Sequence, residues 1–250
     1  MSLITITTDF GTVDGYVGEM KGVIKSISPD AEIIDITHDI INIFFASMAI
    51  KRYFYKFPPG SIHLAVVDPT VGSHRKALIG YISKKYIVGP DNGIFTLIDQ
   101  DARWWKINPD IIETANDSYT FHGRDIFAPV AAMLSEGQKP DDLGEEINKI
   151  EHIEYPELKH KNNSIIGAII YIDNFGNLIT NIQSEELTSI KSVNVGGNSD
   201  IPFVSTYSDV PLNSPLAYIG SGDYLEIGVN SGRAVKFFNA EIGTEVIISK

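Results

Sequence analysis

The chain has 250 residues, 43% hydrophobic and 21% charged, with a formal charge of −12 and no cysteine. This is a globular composition whose acidity disfavours nucleic acid and anionic membrane as partners, because no Lys/Arg face is clustered, and the missing cysteines exclude disulfides, thiolate metal sites and cysteine nucleophiles. The opening MSLITITTDF has no signal-peptide pattern, and no apolar stretch nears the roughly 20 residues that cross a bilayer, so a cytoplasmic protein is expected.

From the N-terminus, short β-branched runs alternate with helical patterns, which predicts an α/β domain over residues 1–150 with a largely parallel sheet. Ser2 to Thr8 reads as a buried strand and Tyr16 to Ser26 as a helix. Asp9 and Asp14 therefore fall at a strand's carboxyl end and just before a helix, where open α/β sheets bind ligands. Ala31 to Ile36 is a second strand, Ile43 to Tyr55 a second helix and Ser61 to Val67 a third strand, with further strands at Lys76 to Ile82 and Tyr86 to Val88. Asp35, His38, Asp68 and Asp91 follow strand ends. Gly123 to Ser135 is helical, after which the polar text from Glu136 reads as a connection, with 151–163 as the linker. Residues 164–250 change to short β-rich runs separated by Asn, Gly, Ser and Asp, the pattern of a smaller antiparallel, barrel-like β domain.

Three segments carry candidate chemistry. In VVDPTVGSHR, Asp68 ends a strand and Arg75 follows across a Pro/Gly turn, so the loop can fold back to pair them. The pair could orient a water, or could simply close the loop as a salt bridge. In TFHGRD, His122 precedes a helix and could accept a proton or act as a charged partner, or could bond locally at the helix start. IDNFGNLITN combines an aromatic ring, an amide and a Gly that suit a purine or ribose, and equally suit a hairpin turn; SGDYLEIGVN allows the same two readings. Asp9, Asp35, His38, Asp39, Asp68, Asp91 and His122 include metal-compatible ligands but no tight ligand spacing, so no metal is expected.

These segments, together with TTDFGTVDGYVGEMKG, ITHDI, VGPDNG and the closing GSGDYLEIGVNSG, occur in an order that resembles the S-adenosylmethionine hydroxide adenosyltransferases, relatives of the fluorinating and chlorinating enzymes, from end to end of the chain. The resemblance implies hydrolysis of S-adenosylmethionine to adenosine and methionine without metal or cofactor, with Asp68, Arg75 and His122 as the catalytic group. It also implies that Asp9 holds the ribose hydroxyls, that Asp14 and Asp173 lie near the methionine ammonium, and that Phe175 and Asn177 frame the nucleoside. Ser221, Glu226 and Val229 match positions that contact adenosine or methionine, Val229 through its backbone. The resemblance further implies a homotrimer with sites at subunit interfaces. The fluorinating relatives carry Tyr at the positions of Asp68 and His122 and Ser at that of Gly123, so their halide pocket is not reproduced; Ile43 and Gly222 stand where they use Trp and Arg. A halide-using transferase and a nucleoside-binding protein without turnover are the alternatives.

Overall fold

The computed structural model describes every residue except Met1, Ile41, residues 114–117 and Ser189. The chain forms two compact units, Met1–Ile153 and Glu154–Lys250.

In the first unit, strands β1 (Leu3–Thr8), β2 (Glu32–Thr37), β3 (Ile62–Val66), β4 (Ala77–Ile82), β5 (Lys85–Pro90), β6 (Arg103–Ile107) and β7 (Gly144–Ile147) make one sheet in the order β2-β1-β3-β5-β4-β6-β7. The expected largely parallel sheet is corrected to a mixed one. Pairs β1–β2, β1–β3 and β3–β5 are parallel, whereas β4–β5, β4–β6 and β6–β7 are antiparallel. The reversal begins at Ser83 and Lys84, whose φ values of 50° and 63° form a two-residue hairpin turn joining β4 to β5. Strand β7 lies in the polar stretch read as a connection. Its Glu145 and Glu146 are exposed, as charged residues on a strand at a sheet edge should be.

Helix α1 (Tyr16–Ile27) buries Val17, Met20 and Ile24 at helical spacing, and helix α2 (Ile43–Phe54) buries Ala46, Ser47, Ile50 and Phe54, with Asn42 accepting the Phe45 N–H as its cap. These helices serve two cores. Ile4, Ile6, Met20, Ile24, Leu64 and Phe127 pack in one, and Ala46, Ile50, Phe54, Leu78, Phe95 and Trp104 in the other. The helix expected over Gly123 to Ser135 is two pieces: a wide π turn at Gly123–Phe127, in which the Ala128 N–H bonds Gly123 O, then α3 (Ala128–Ser135). Pro129, second in α3, has no N–H to donate to a carbonyl one turn back, which favours the wider turn before it.

The second unit consists of β8 (Lys159–Lys161), β9 (Ser164–Ile172), β10 (Leu178–Gln183), β11 (Ser192–Val195), β12 (Asn198–Ile201), β13 (Pro215–Ile219), β14 (Tyr224–Val229) and β15 (Glu245–Ser249). Every pairing between these strands is antiparallel, in the order β12-β11-β15-β9-β10-β14-β13 with β8 also on β9. A bridge between Phe203 and Ala217 brings the chain after β12 against β13, so the sheet nearly closes, as the barrel-like expectation required. Ile165, Leu178, Val193, Leu225, Ile227 and Val246 fill its interior. Among the described residues no helix is long and apolar enough to cross a membrane.

Candidate active site

In the first unit, Asp68 leaves the carboxyl end of β3 and enters the loop to β4. Asn92 holds the preceding backbone by donating its Nδ2–H to Val67 O at 2.9 Å, and at the far end Lys76 donates to the buried Asp91 at 2.8 Å. Gly72 turns the loop with φ of 80°; a Cβ there would lie 3.2 Å from Tyr119 O, so the loop passes close to the segment leading to His122.

The pinned loop folds Arg75 back onto Asp68. Arg75 Nε donates to Asp68 Oδ1 and Oδ2 at 2.9 and 2.8 Å, Nη2 also donates to Oδ2, and Thr70 Oγ1 donates to Oδ1 at 3.0 Å. Both side chains are almost wholly buried, so the pair is a fixed fork and not a surface contact. The guanidinium lies 5.3 Å from the Phe127 ring centroid. The same Nη2 donates its second hydrogen to His122 Nδ1 at 2.9 Å.

That last bond fixes a proton position. A guanidinium only donates, so Nδ1 must accept, and His122 is a neutral imidazole with its hydrogen on Nε2. Burial and the Arg75 charge lower the His122 pKa below its ordinary value, in the same sense. Asp9 stands beside this cluster. Burial raises its carboxyl above the usual value and the nearby Asp68 charge adds to the rise, while backbone N–H groups of Asp9 and Asp68 act against it. Its side chain nevertheless keeps an open face to solvent. Gly123, directly after His122, is tightly enclosed: a Cβ would lie 3.1 Å from Phe10 and 3.3 Å from Met20 Sδ. Phe10, Tyr16 and Phe121 pack edge to face with centroids 5.3–6.2 Å apart. Asp14 is exposed ahead of α1, between exposed Val13 and Gly15.

In the second unit, Asp173 ends β9 and Asn177 precedes β10. Asn177 donates from its backbone N and its Nδ2 to the two Asp173 oxygens, at 2.8 and 2.9 Å. Tyr207 donates to Asn177 Oδ1 at 3.0 Å and lies 2.7 Å from the Tyr218 hydroxyl, and Tyr218 donates to Glu226 Oε2 at 2.8 Å. Each phenol has one hydrogen, and these go to Asn177 and to Glu226, so the 2.7 Å hydroxyl contact sets two bonded segments side by side, Asp173–Asn177–Tyr207 and Tyr218–Glu226. Burial, then Tyr207 and the Glu226 charge, push the Tyr218 pKa up, so it remains a neutral phenol. Phe175 projects from the turn with 75% of its surface exposed, and Ser221 is exposed as well. The Val229 side chain belongs to the interior cluster and its carbonyl accepts the Gly232 N–H.

Asp68, Arg75, His122 and Asp9 therefore come together in one unit, and Asp173, Asn177 and Glu226 in the other. Sequence reasoning missed Thr70, Tyr207 and Tyr218. Thr70 was detectable, two residues after a strand-end Asp; the tyrosines had no signal, because only strand pairing brings them to Asn177. Among the described residues no group of three or more His, Asp or Glu side chains is placed to hold a metal ion.

Comparison with known proteins agrees across the whole chain. The family model for the SAM hydroxide adenosyltransferase N-terminal domain matches residues 4–144, and that for the C-terminal domain matches residues 167–247. The chain is 38% identical to an (R)-S-adenosyl-L-methionine hydrolase of Methanocaldococcus jannaschii, over 99% of this chain and 96% of that protein. It is 33% identical to one from Thermus thermophilus, over 98% and 99%, and 24% identical to a fluorinase of an Actinoplanes species, over 99% and 97%. A crystal structure of an uncharacterized conserved protein from Thermotoga maritima superposes with a TM-score of 0.90 at 35% identity, covering 99% of this chain and all of that one.

Proposed function

The chain belongs to the SAM hydroxide adenosyltransferase family, and from that premise we propose that it hydrolyses S-adenosyl-L-methionine to adenosine and L-methionine by attack of water on ribose C5′. The observation that carries the reading into chemistry is the continuous bonding from Asp68 through Arg75 to His122 beside Asp9. The sulfonium leaves C5′ as a neutral thioether and needs no acid. As the new O–C5′ bond forms, the C5′–S pair returns to sulfur and one water proton must be taken up. The site's task is to hold the water in line and stabilise its developing negative charge.

His122 Nδ1 is occupied by the Arg75 donor, so its lone pair is not the proton's destination; its Nε2–H serves as a donor to the attacking oxygen. Asp68 is then assigned to orient the water and take the proton, with Arg75 keeping its plane fixed; taking it requires that one of the Arg75 or Thr70 hydrogen bonds to the carboxylate give way. Asp9 holds the ribose hydroxyls. Asp14 and Asp173 attract the methionine ammonium at a distance from sulfur, where their charge does not stabilise the cationic ground state over the neutralising transition state. Phe175, Asn177, Ser221, Glu226 and the Val229 backbone serve the nucleoside and amino-acid ends. We further propose a metal-independent, cofactor-free homotrimer with sites at subunit interfaces, working in the cytoplasm. Exposed Val13, Tyr16 and Phe175, next to residues assigned to the ligand, support such an interface.

Turnover in heavy-oxygen water, with mass analysis of adenosine, tests the reaction. Label in the 5′ hydroxyl is expected. Unlabelled adenosine, or a 5′-halogenated nucleoside forming when halide is added, would overturn it.

A further inference from the structure

The segment ITHDI has no role in the mechanism above, yet its histidine is built into the loop that carries Asp9. His38 is 6% exposed and sits after β2, one strand away from the Asp9 loop. It reaches that loop twice. Its carbonyl accepts the Gly11 N–H at 2.8 Å, and its ring Nδ1 lies 2.9 Å from the hydroxyl of Thr8, which is wholly buried.

The direction of the second bond follows from the neighbouring carboxylate. The Thr8 oxygen accepts the Phe10 N–H at 3.3 Å and has a second lone pair, so its hydrogen is free to serve His38. His38 Nε2 lies 3.2 Å from Asp35 Oδ1, an ion-pair distance without the alignment of a hydrogen bond, and the carboxylate favours the ring hydrogen on the nitrogen that faces it, which leaves Nδ1 to accept from Thr8. Asp35 is held on its other oxygen by Lys21 of α1 at 2.5 Å. Burial alone would raise the Asp35 pKa; Lys21 and His38 more than offset this and lower it, so the carboxylate stays ionised. Lys21, Asp35, His38 and Thr8 form a line from the α1 surface to the Phe10 backbone, bracketing Asp9 between Thr8 and Phe10.

We propose that His38 and Thr8 are positioning residues that aim the Asp9 carboxylate at the ribose, the inner bond from Thr8 to Nδ1 being the one that matters. This rests on the reading of Asp9 as the ribose-holding group. Neither side chain touches substrate; both act through the backbone on either side of Asp9. Asparagine at position 38 places an amide oxygen near the Nδ1 position and keeps the inner acceptor, whereas glutamine reaches toward Asp35 and loses it.

The test compares Thr8→Val with Thr8→Ser, and His38→Gln with His38→Asn, reading KM and kcat for S-adenosylmethionine and affinities for adenosine and 2′,3′-dideoxyadenosine. Thr8→Val and His38→Gln are expected to raise KM about tenfold with kcat within about threefold, the scale of one well-formed hydrogen bond. Thr8→Ser and His38→Asn recover most of that loss. Adenosine affinity falls in step, while the dideoxynucleoside, which lacks the hydroxyls, binds as before. Equal weakening of both nucleosides, or rescue by glutamine and not asparagine, overturns the proposal. Asp9→Asn separates the two levels: if it leaves discrimination between the nucleosides intact, the ribose reading fails, and if it abolishes discrimination that Thr8→Val retains, only the positioning role fails.

Discussion

The two units build their candidate sites from opposite materials. In Met1–Ile153 the cluster is ionic: a buried carboxylate and guanidinium locked together, with an imidazole made neutral by its neighbour. In Glu154–Lys250 it is a line of neutral donors, two phenols and an amide, stretched between the carboxylates of Asp173 and Glu226. Fixed charge in a buried setting suits stabilisation of a hydroxide-like nucleophile, because such charge is worth more out of water and needs no reorganisation. Neutral hydrogen-bond chains suit recognition, where geometry decides and each bond is worth about 1 kcal/mol. Under the proposed roles, bond-making falls to the first unit, with Asp9 and Asp14 adding binding contacts there, and the second unit serves binding alone.

The largest effect follows from the ionic side. Asp68→Ala leaves the Arg75 charge buried without its partner, and His122→Ala removes the Nε2–H donor. Each is expected to cut kcat by about a hundredfold or more while adenosine affinity changes little, as measured by single-turnover kinetics and titration. Turnover near wild type in both would end the division of labour between the units.

How much of this was visible beforehand depended on the range of the interaction. Periodic patterns over β1, α1, β2 and α2 were legible because each element declares itself within a dozen residues. The reversal of β4 on β5 was not, since its tight turn is Ser83–Lys84 without the Gly or Asn that signals one, and β6 hid because adjacent Trp104 and Trp105 are both buried and break the alternation. The pairing of Asp68 with Arg75 could be inferred from seven residues of loop. Arg75 with His122, 47 positions apart, could not, nor could Tyr207 with Asn177, 30 apart, because only the closed folds bring them together. Family resemblance supplied names for such residues without supplying their bonds, which is why Tyr207, Tyr218 and the direction of the His122 proton come from geometry alone.

A smaller effect belongs to the neutral side. Tyr207→Phe removes the donor to Asn177 Oδ1 while keeping the ring that packs 5.2 Å from Tyr218. Asn177 then loses one of the bonds that hold its amide against Asp173. The expected result is a KM for S-adenosylmethionine raised about tenfold with kcat within about twofold, read from steady-state kinetics. A fall in kcat at unchanged KM would place this chain in the chemistry and erase the contrast.

The smallest effect separates the units by pH. His122 must be neutral for Nδ1 to accept from Arg75, and protonation would set two donors against each other. Burial and the Arg75 charge lower its pKa, so the neutral form persists below the ordinary histidine value of 6.5, and kcat should stay level from pH 8 to 6.5. As pH falls further through the depressed value, the protonated fraction grows and kcat declines, with an acid limb that lies below that of an unperturbed histidine. Asp9 titrates in the same direction for another reason: burial has raised its carboxyl, so it loses its charge at a higher pH than a free aspartate, and ribose affinity weakens there. Tyr218 contributes nothing in this range, since burial, Tyr207 and the Glu226 charge shift it upward, away from neutrality. Hence Tyr207→Phe should displace the KM curve vertically and leave the acid limb of kcat where it was. A limb that moves with Tyr207 would mean that the two clusters share a proton, and the charged and neutral sites would then have to be treated as one.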